Sequence, residues 1–253
     1  MVECDKLVAY LDDLLQVKEF GDYCPNGLQV EGRPEVNKLV TGVTASQALL
    51  DASVDAGADA VLVHHGYFWR GEDAVITGMK KRRLKTLLEN DLSLFAYHLP
   101  LDAHVEYGNN IQLAKKLGFR VDGVVEDGSA KGLLWYGRLQ TEVSVESFCR
   151  HLASELGRAP LHLPSVSGRK IRTIGWCTGA AQGYIGQAAE LGLDAYLSGE
   201  VSEQTYHQAM ELDIHYFSAG HHATETYGVQ ALGAHLAQKF SLQHQHIDLA
   251  NIV

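Results

Sequence analysis

The 253-residue chain has no run of about 18 apolar residues, so a helix spanning a bilayer is excluded. Its opening, MVECDKLVAYLDDLL, is acidic and amphipathic and lacks the basic start and apolar stretch of a secretory signal. A cytoplasmic protein is therefore expected. Cysteine is scarce. Cys4, Cys24, Cys149 and Cys177 lie far apart with no CxxC pairing, which argues against a structural zinc knot or a disulfide framework. Cys177 is expected to be an ordinary buried thiol. Positive charge is also short: 21 Lys and Arg stand against 31 Asp and Glu, a formal net charge of -10, which makes the chain a poor general binder of nucleic-acid backbone. No GxGxxG, Walker loop or GxSxG motif stands in its required context, so ATP-driven and serine-nucleophile chemistry are unsupported.

What is present is an orderly α/β pattern. Leu7, Val8, Leu11, Leu14 and Leu15 recur at helical spacing near the start. A turn-rich stretch, YCPNGLQVEGRPEV, follows. KLVTGVT, ASQALLDASVDAG and DAVLVHHG then read as strand, helix and strand, a βαβ unit with parallel strands and a right-handed crossover. The helix is expected to end at Gly57. A loop, a basic helix MKKRRLKTLLEN, the strand SLFAYH and the helix GNNIQLAKKLG come next. The basic run is expected to be a solvated helix face, the alternative being an anion or phosphate contact at the mouth of a site.

The pattern changes over residues 121–170, read as a smaller inserted lobe of strand, helix and return strand, and then resumes. ASVDAGADAVLVHHG aligns with QAAELGLDAYLSGE, setting Asp59 against Asp194 and His65 against Glu200. The expected fold class is α/β: two pseudo-duplicated halves with mainly parallel sheets, 1–120 and 171–253, separated by the insertion.

The informative excess is histidine: thirteen are present, most of them in short clusters at expected strand ends. Open α/β sheets place ligands beyond the carboxyl ends of their strands. Three such ends carry ligand-type residues: His64 and His65; His98, Asp102 and His104; His221, His222 and Glu225. Singly, each has an ordinary explanation. A strand-end histidine is usually hydrogen-bonded, Asp102 suits a turn after Pro100, and Glu225 suits a helix dipole. Three rims collecting such residues together point to metal. Imidazole and carboxylate without thiolate suit zinc, iron, manganese or nickel.

His64 and His65 are neighbours on a strand and should point to opposite faces. Two adjacent ions, one per histidine, fit that divergence better than one, with Gly66 allowing a bend. His221 and Glu225, four apart at a helix start, share a face. Asp102 is placed on a loop from which it swings inward. Tyr67, Phe68 and Trp69 are expected to pack over the site or against a partner chain rather than to stack on a base.

These motifs, VTGVTASQALLDASVDAGADAVLVHHGYFWRGE, HLPLDAHVEYGNN, SGEVSEQ and GHHATE, together with YCPNGLQVEG, resemble the GTP cyclohydrolase 1 type 2 (Nif-three-like) family, its short bacterial members most of all. The resemblance covers nearly the whole chain. It implies a dinuclear metal site between the lobes and a hexameric ring. It puts the metal ligands on His64, His65, Asp102, His221 and Glu225, with His98 as a further ligand-type position and His104 and His222 beside ligands. It also implies hydrolytic opening of a purine ring.

Two functions follow. The first is a two-metal hydrolase of a purine nucleotide or a related C–N or ester bond, with Glu200, His98 or His222 as base or proton shuttle. The second is a non-catalytic metal-binding regulator or metal carrier using the same ligands. A ring encircling nucleic acid is disfavoured by the acidic balance.

Overall fold

The computed structural model describes residues 1–253, the side chain of Ala130 excepted. The chain divides into two units, Met1–Gly108 with Thr226–Ala250, and Asn109–Glu225 with Asn251–Val253. The first contains β1 (Val2–Glu3), α1 (Cys4–Leu14), β2 (Gly27–Val30), β3 (Glu35–Val36), β4 (Lys38–Thr44), α2 (Gln47–Asp55), β5 (Ala60–His65), α3 (Gly78–Glu89), β6 (Ser93–Ala96) and α4 (Leu99–Ala103). The second contains α5 (Asn109–Leu117), β7 (Arg120–Val124), β8 (Trp135–Val143), α6 (Val145–Leu156), β9 (Leu161–Leu163), β10 (Ile171–Trp176), α7 (Ile185–Glu190), β11 (Ala195–Ser198), α8 (Glu203–Glu211) and β12 (His215–Ser218). The long helix α9 (His221–Phe240) crosses the division after Glu225, and β13 (Gln243–His246) belongs to the first unit.

In the first unit five strands run in the order β13-β4-β5-β6-β2. The first four are mutually parallel, and β2 is antiparallel to β6. Both faces are covered, which is why the central strands read as unbroken apolar runs. Leu39, Ala60, Leu62, Phe95 and Tyr97 pack with Leu7 and Leu11 of α1 and Val229, Leu232 and Leu236 of α9. Val40, Val61, Val63, Leu94 and Ala96 pack on the other face with Leu49 and Leu50 of α2 and Leu84 and Leu87 of α3. The spacings Leu7–Leu11 and Val229–Leu232–Leu236 put each helix's apolar stripe on one side. Ser46 starts α2 by accepting from the Leu49 N–H at 3.3 Å, and Gly57 follows its end at φ +69°.

The second unit holds a six-stranded sheet, β7-β8-β10-β11-β12-β9. Strands β10, β11 and β12 are parallel; β7, β8 and β9 join by antiparallel pairing. Residues 121–170 supply outer strands of this sheet, because the long β8 pairs with both β7 and β10 and β9 pairs with β12. Two expectations are corrected. GLQV in the turn-rich stretch forms β2, since the flanking Pro and Gly mask a four-residue edge strand. Asp102 lies in the short helix α4, not on a loop, and is buried.

The internal duplication has a structural counterpart. Asp59 Oδ2 accepts from the backbone N–H groups of Asn37 and Lys38, both at 2.8 Å, where β4 starts. Asp194 Oδ2 accepts from those of Arg172 and Thr173, at 3.0 and 2.8 Å, where β10 starts. In each half an Asp just before one strand holds the entry of its parallel neighbour.

Candidate metal centre

The first candidate set sits at the carboxyl ends of β5 and β6. His64 shares parity with Leu62 and is fully buried; His65 shares parity with Val63 and is half-buried. Their backbones obey strand alternation, yet their rings converge to 4.6 Å between centroids, tilted 47°. The role expected for Gly66 also changes. A Cβ there would meet Gln29 Oε1 at 2.2 Å and Ala96 Cβ at 2.5 Å, so glycine is needed for close packing and not for a bend.

Each ring is oriented through Nδ1. His64 Nδ1 donates to the Tyr97 carbonyl at 2.9 Å, which directs Nε2 toward Asp102 Oδ1, 3.5 Å away. His65 Nδ1 lies 3.2 Å from the Thr44 hydroxyl. His98 Nδ1 lies 2.7 Å from Asp22 Oδ1. One nitrogen of each of His64, His65 and His98 falls within 4.8 Å of the others. Holding one imidazole nitrogen by hydrogen bond to define the other is the usual preparation of a histidine ligand.

Trp69 and Tyr23 flank the set. The Trp69 ring is 6.0 Å from His65 and 5.0 Å from His98, and the Tyr23 ring is 6.4 Å from His98. Phe68 is 38% exposed at φ +65°, and Tyr67 is buried with its hydroxyl on the Ala45 carbonyl. Cys24 also comes within 4.8 Å of Asp22 and His98, but burial, with the charge of Asp22, pushes its thiol up to about 12. A Cys–His nucleophile is therefore unsupported, because the reactive form is the thiolate.

The second set is built at the start of α9. His221 Nε2 lies 3.1 Å from Glu225 Oε2, one helical turn away, as the spacing implied. Its Nδ1 lies 2.6 Å from Glu200 Oε1. Burial disfavours the charged form of His221, but Glu225 and Glu200 outweigh it and lift its pKa to about 9. His221 and Glu225 are the residues here that would hold a divalent cation, with Glu200 orienting the ring from its other nitrogen.

Glycines make the room. Gly179 has φ +66°, and a Cβ on it would lie 2.1 Å from Glu225 Oε1. A Cβ on Gly199 would lie 2.7 Å from the His221 Cα. The Gly179 N–H donates to Thr224 Oγ1 at 3.1 Å, and its carbonyl accepts from Gly199 and Glu200. The TGAAQG turn after β10 was not singled out in the sequence, although a glycine directly beyond a strand end was the available signal.

The remaining expected residues fall differently. Glu200 is oriented on His221, so it acts through that ring. The His222 backbone N–H donates to the Val253 carbonyl at 3.1 Å. His104 is committed to its own turn: its Nδ1 accepts from the N–H groups of Glu106 and Tyr107, and its ring stacks on Tyr107 at 5.3 Å. The donors fit a divalent cation. Asp102 is 5% exposed and Glu225 2%, and a carboxylate this buried needs hydrogen bonds, a paired charge or a metal to stay ionised.

Two α/β halves with imidazole–carboxylate sets at their strand ends define an α/β protein with groups that could hold a metal ion. Residues 2–251 match the model of the Duf34/NIF3 (NGG1p interacting factor 3) family, and the chain belongs to that family. It is 58% identical over 245 residues to a GTP cyclohydrolase 1 type 2 homolog of Pseudomonas aeruginosa, covering 97% of this chain and 96% of the relative. A protein of the same description in Escherichia coli is 49% identical over 246 residues, covering 97% and 98%. Among solved structures, protein ybgI, described as of unknown function, superposes with a TM-score of 0.96 at 47% identity over all of both chains. TTHA1606 from Thermus thermophilus superposes with 0.88 at 34% identity, also over all of both chains.

Proposed function

We propose that the chain is a metal-dependent hydrolase that binds two divalent ions through His64, His65, Asp102, His221 and Glu225 and acts on a purine nucleotide or a related C–N or ester bond. The observation that carries the metal reading is the preparation of the ligands: buried or half-buried imidazoles oriented through one nitrogen, each set with a buried carboxylate within 3.5 Å of a histidine nitrogen. The names of the relatives support the substrate class.

Bound divalent ions would supply Lewis-acid stabilisation of developing negative charge and an acidified water. The chain's own residues supply the rest. Tyr97 and Glu200 fix the rings of His64 and His221. Trp69 and Tyr23 shield the histidine cluster and offer flat faces to a planar substrate. His98 and His222 are the proton-transfer candidates, and His98 is the one within reach of the histidine pair. The chain acts as a homohexamer on a small molecule in the cytoplasm.

Elemental analysis of the purified protein, followed by a hydrolysis screen with the metal found over nucleotides, cyclic amides and phosphoesters, tests this reading. Turnover that depends on metal and is lost in Asp102→Ala supports it. Tight metal retention with no turnover on any of these classes would favour the regulator, and freely exchanging metal the carrier.

A further inference from the structure

The turn GDYCPNG lies outside the five proposed ligands, yet it holds the ring of His98, 5.0 Å from that of His64. The Asp22 side chain is 3% exposed and surrounded by donors. Its Oδ1 accepts from the Tyr23 N–H at 2.6 Å and faces His98 Nδ1 at 2.7 Å. Its Oδ2 accepts from Asn26 Nδ2 at 2.8 Å and from the Leu99 N–H at 3.0 Å. The backbone N–H of His98 donates to Asn26 Oδ1 at 2.6 Å. The turn is itself tied down, because the Arg70 N–H donates to the Tyr23 carbonyl at 2.6 Å and the Arg70 guanidinium to the Asp22 carbonyl at 3.1 Å. Backbone and ring of His98 are thus both set by one turn of chain.

An ionised carboxylate only accepts hydrogen bonds. His98 Nδ1 must therefore carry the proton in the Asp22 contact, and in the neutral ring Nε2 then carries the lone pair. That ring lies 5.0 Å from His64 and 5.8 Å from His65. We propose that Asp22 is a positioning residue that fixes His98 as its Nδ1–H tautomer and presents an unprotonated Nε2 to the His64–His65 pair. The tautomer stands on these hydrogen bonds alone. Its use, as the acceptor of a proton from water or substrate, rests on the hydrolase reading above.

The test is two-bond 1H–15N correlation of the histidine rings in metal-free, 15N-labelled full-length protein at pH 8. The His98 signals are assigned by their loss in His98→Gln. The expected pattern for His98 is Nδ1–H, and Asp22→Asn shifts it toward Nε2–H or a mixture while the other assigned rings keep theirs. An Nε2–H or doubly protonated ring in the wild type would overturn the proposal, as would an unchanged Nδ1–H pattern in folded Asp22→Asn. Should the variant fail to fold, the wild-type pattern decides alone. Because no metal or substrate is present, a failed hydrolysis screen leaves this result standing. The Nδ1–H pattern in turn does not depend on turnover.

Discussion

Glu225 Oε2 lies 3.1 Å from His221 Nε2, and Gly179 leaves the carboxylate its space. Gly179→Ala should therefore do two things. The left-handed backbone costs about 1–3 kcal/mol once a Cβ is present, and the methyl group displaces Glu225. Gly57→Ala is the control, because it has φ +69° with nothing within 4 Å of the added Cβ. Both variants should lose thermal stability. Only Gly179→Ala should lose metal in elemental analysis after dialysis, and full metal content in that variant would contradict the assignment.

Asp59 and Asp194 give the duplication an energetic test. Each carboxylate caps two backbone N–H groups; Asp59 also pairs with Arg33 at 2.7 Å, and Asp194 also accepts from the Thr173 hydroxyl at 2.9 Å. Truncation to Ala at either position leaves these donors to compete for water and should cost about 2–4 kcal/mol. Urea denaturation measures both. A cost in one half with none in the other would show that the two positions are not equivalent.

The same pair shows what was legible in the sequence. The repeated x-Asp-Ala before an apolar strand marked the two parallel cores, because a strand covered on both faces must be apolar throughout. His221 and Glu225 were legible because helical spacing fixes which side chains meet. The convergence of His64 and His65 was not, since alternation describes where Cβ atoms point and not where long rings turn beyond the end of a strand. Asp22 was missed because a carboxylate in a turn-rich stretch looks like turn chemistry until its partners 76 and 77 residues away, His98 and Leu99, are seen. Residues 121–170 looked like a separate lobe because antiparallel outer strands break the βαβ rhythm even when they extend the same sheet.

Asp22 also predicts an acid limit. Burial alone would raise its pKa, but the hydrogen bond and charge of His98, with Asn26 and the Tyr23 N–H, hold it down to about 2. A depressed carboxylate contributes stability that is present above its unfolded pKa, near 4, and is lost as pH falls toward 2. At neutral pH the hydrogen bonds from the Tyr23 N–H, Asn26 and the Leu99 N–H carry the contribution, on the order of 1 kcal/mol. Chemical denaturation of wild type and Asp22→Asn should show the variant less stable at pH 7, with the gap narrowing between pH 4 and 2. A gap that stays constant across that window would place the Asn effect elsewhere.

His64 and His65 should separate in two measurements. His64 is fully buried and donates to the Tyr97 carbonyl, so His64→Ala strands a buried acceptor and should cost about 1–3 kcal/mol. His65 is half-buried and rests on the Thr44 hydroxyl, so His65→Ala should cost less than about 1 kcal/mol. Toward metal the two should be alike in extent but different in place. Cobalt titration of metal-free protein, followed by visible absorption, should reach two ions per chain in the wild type and fewer in either variant. The bands lost with His64 should differ from those lost with His65, because the two rings leave the strand from opposite faces before converging. Loss of the same bands in both variants would mean that the adjacent histidines share one ion, and the two-ion assignment would fail.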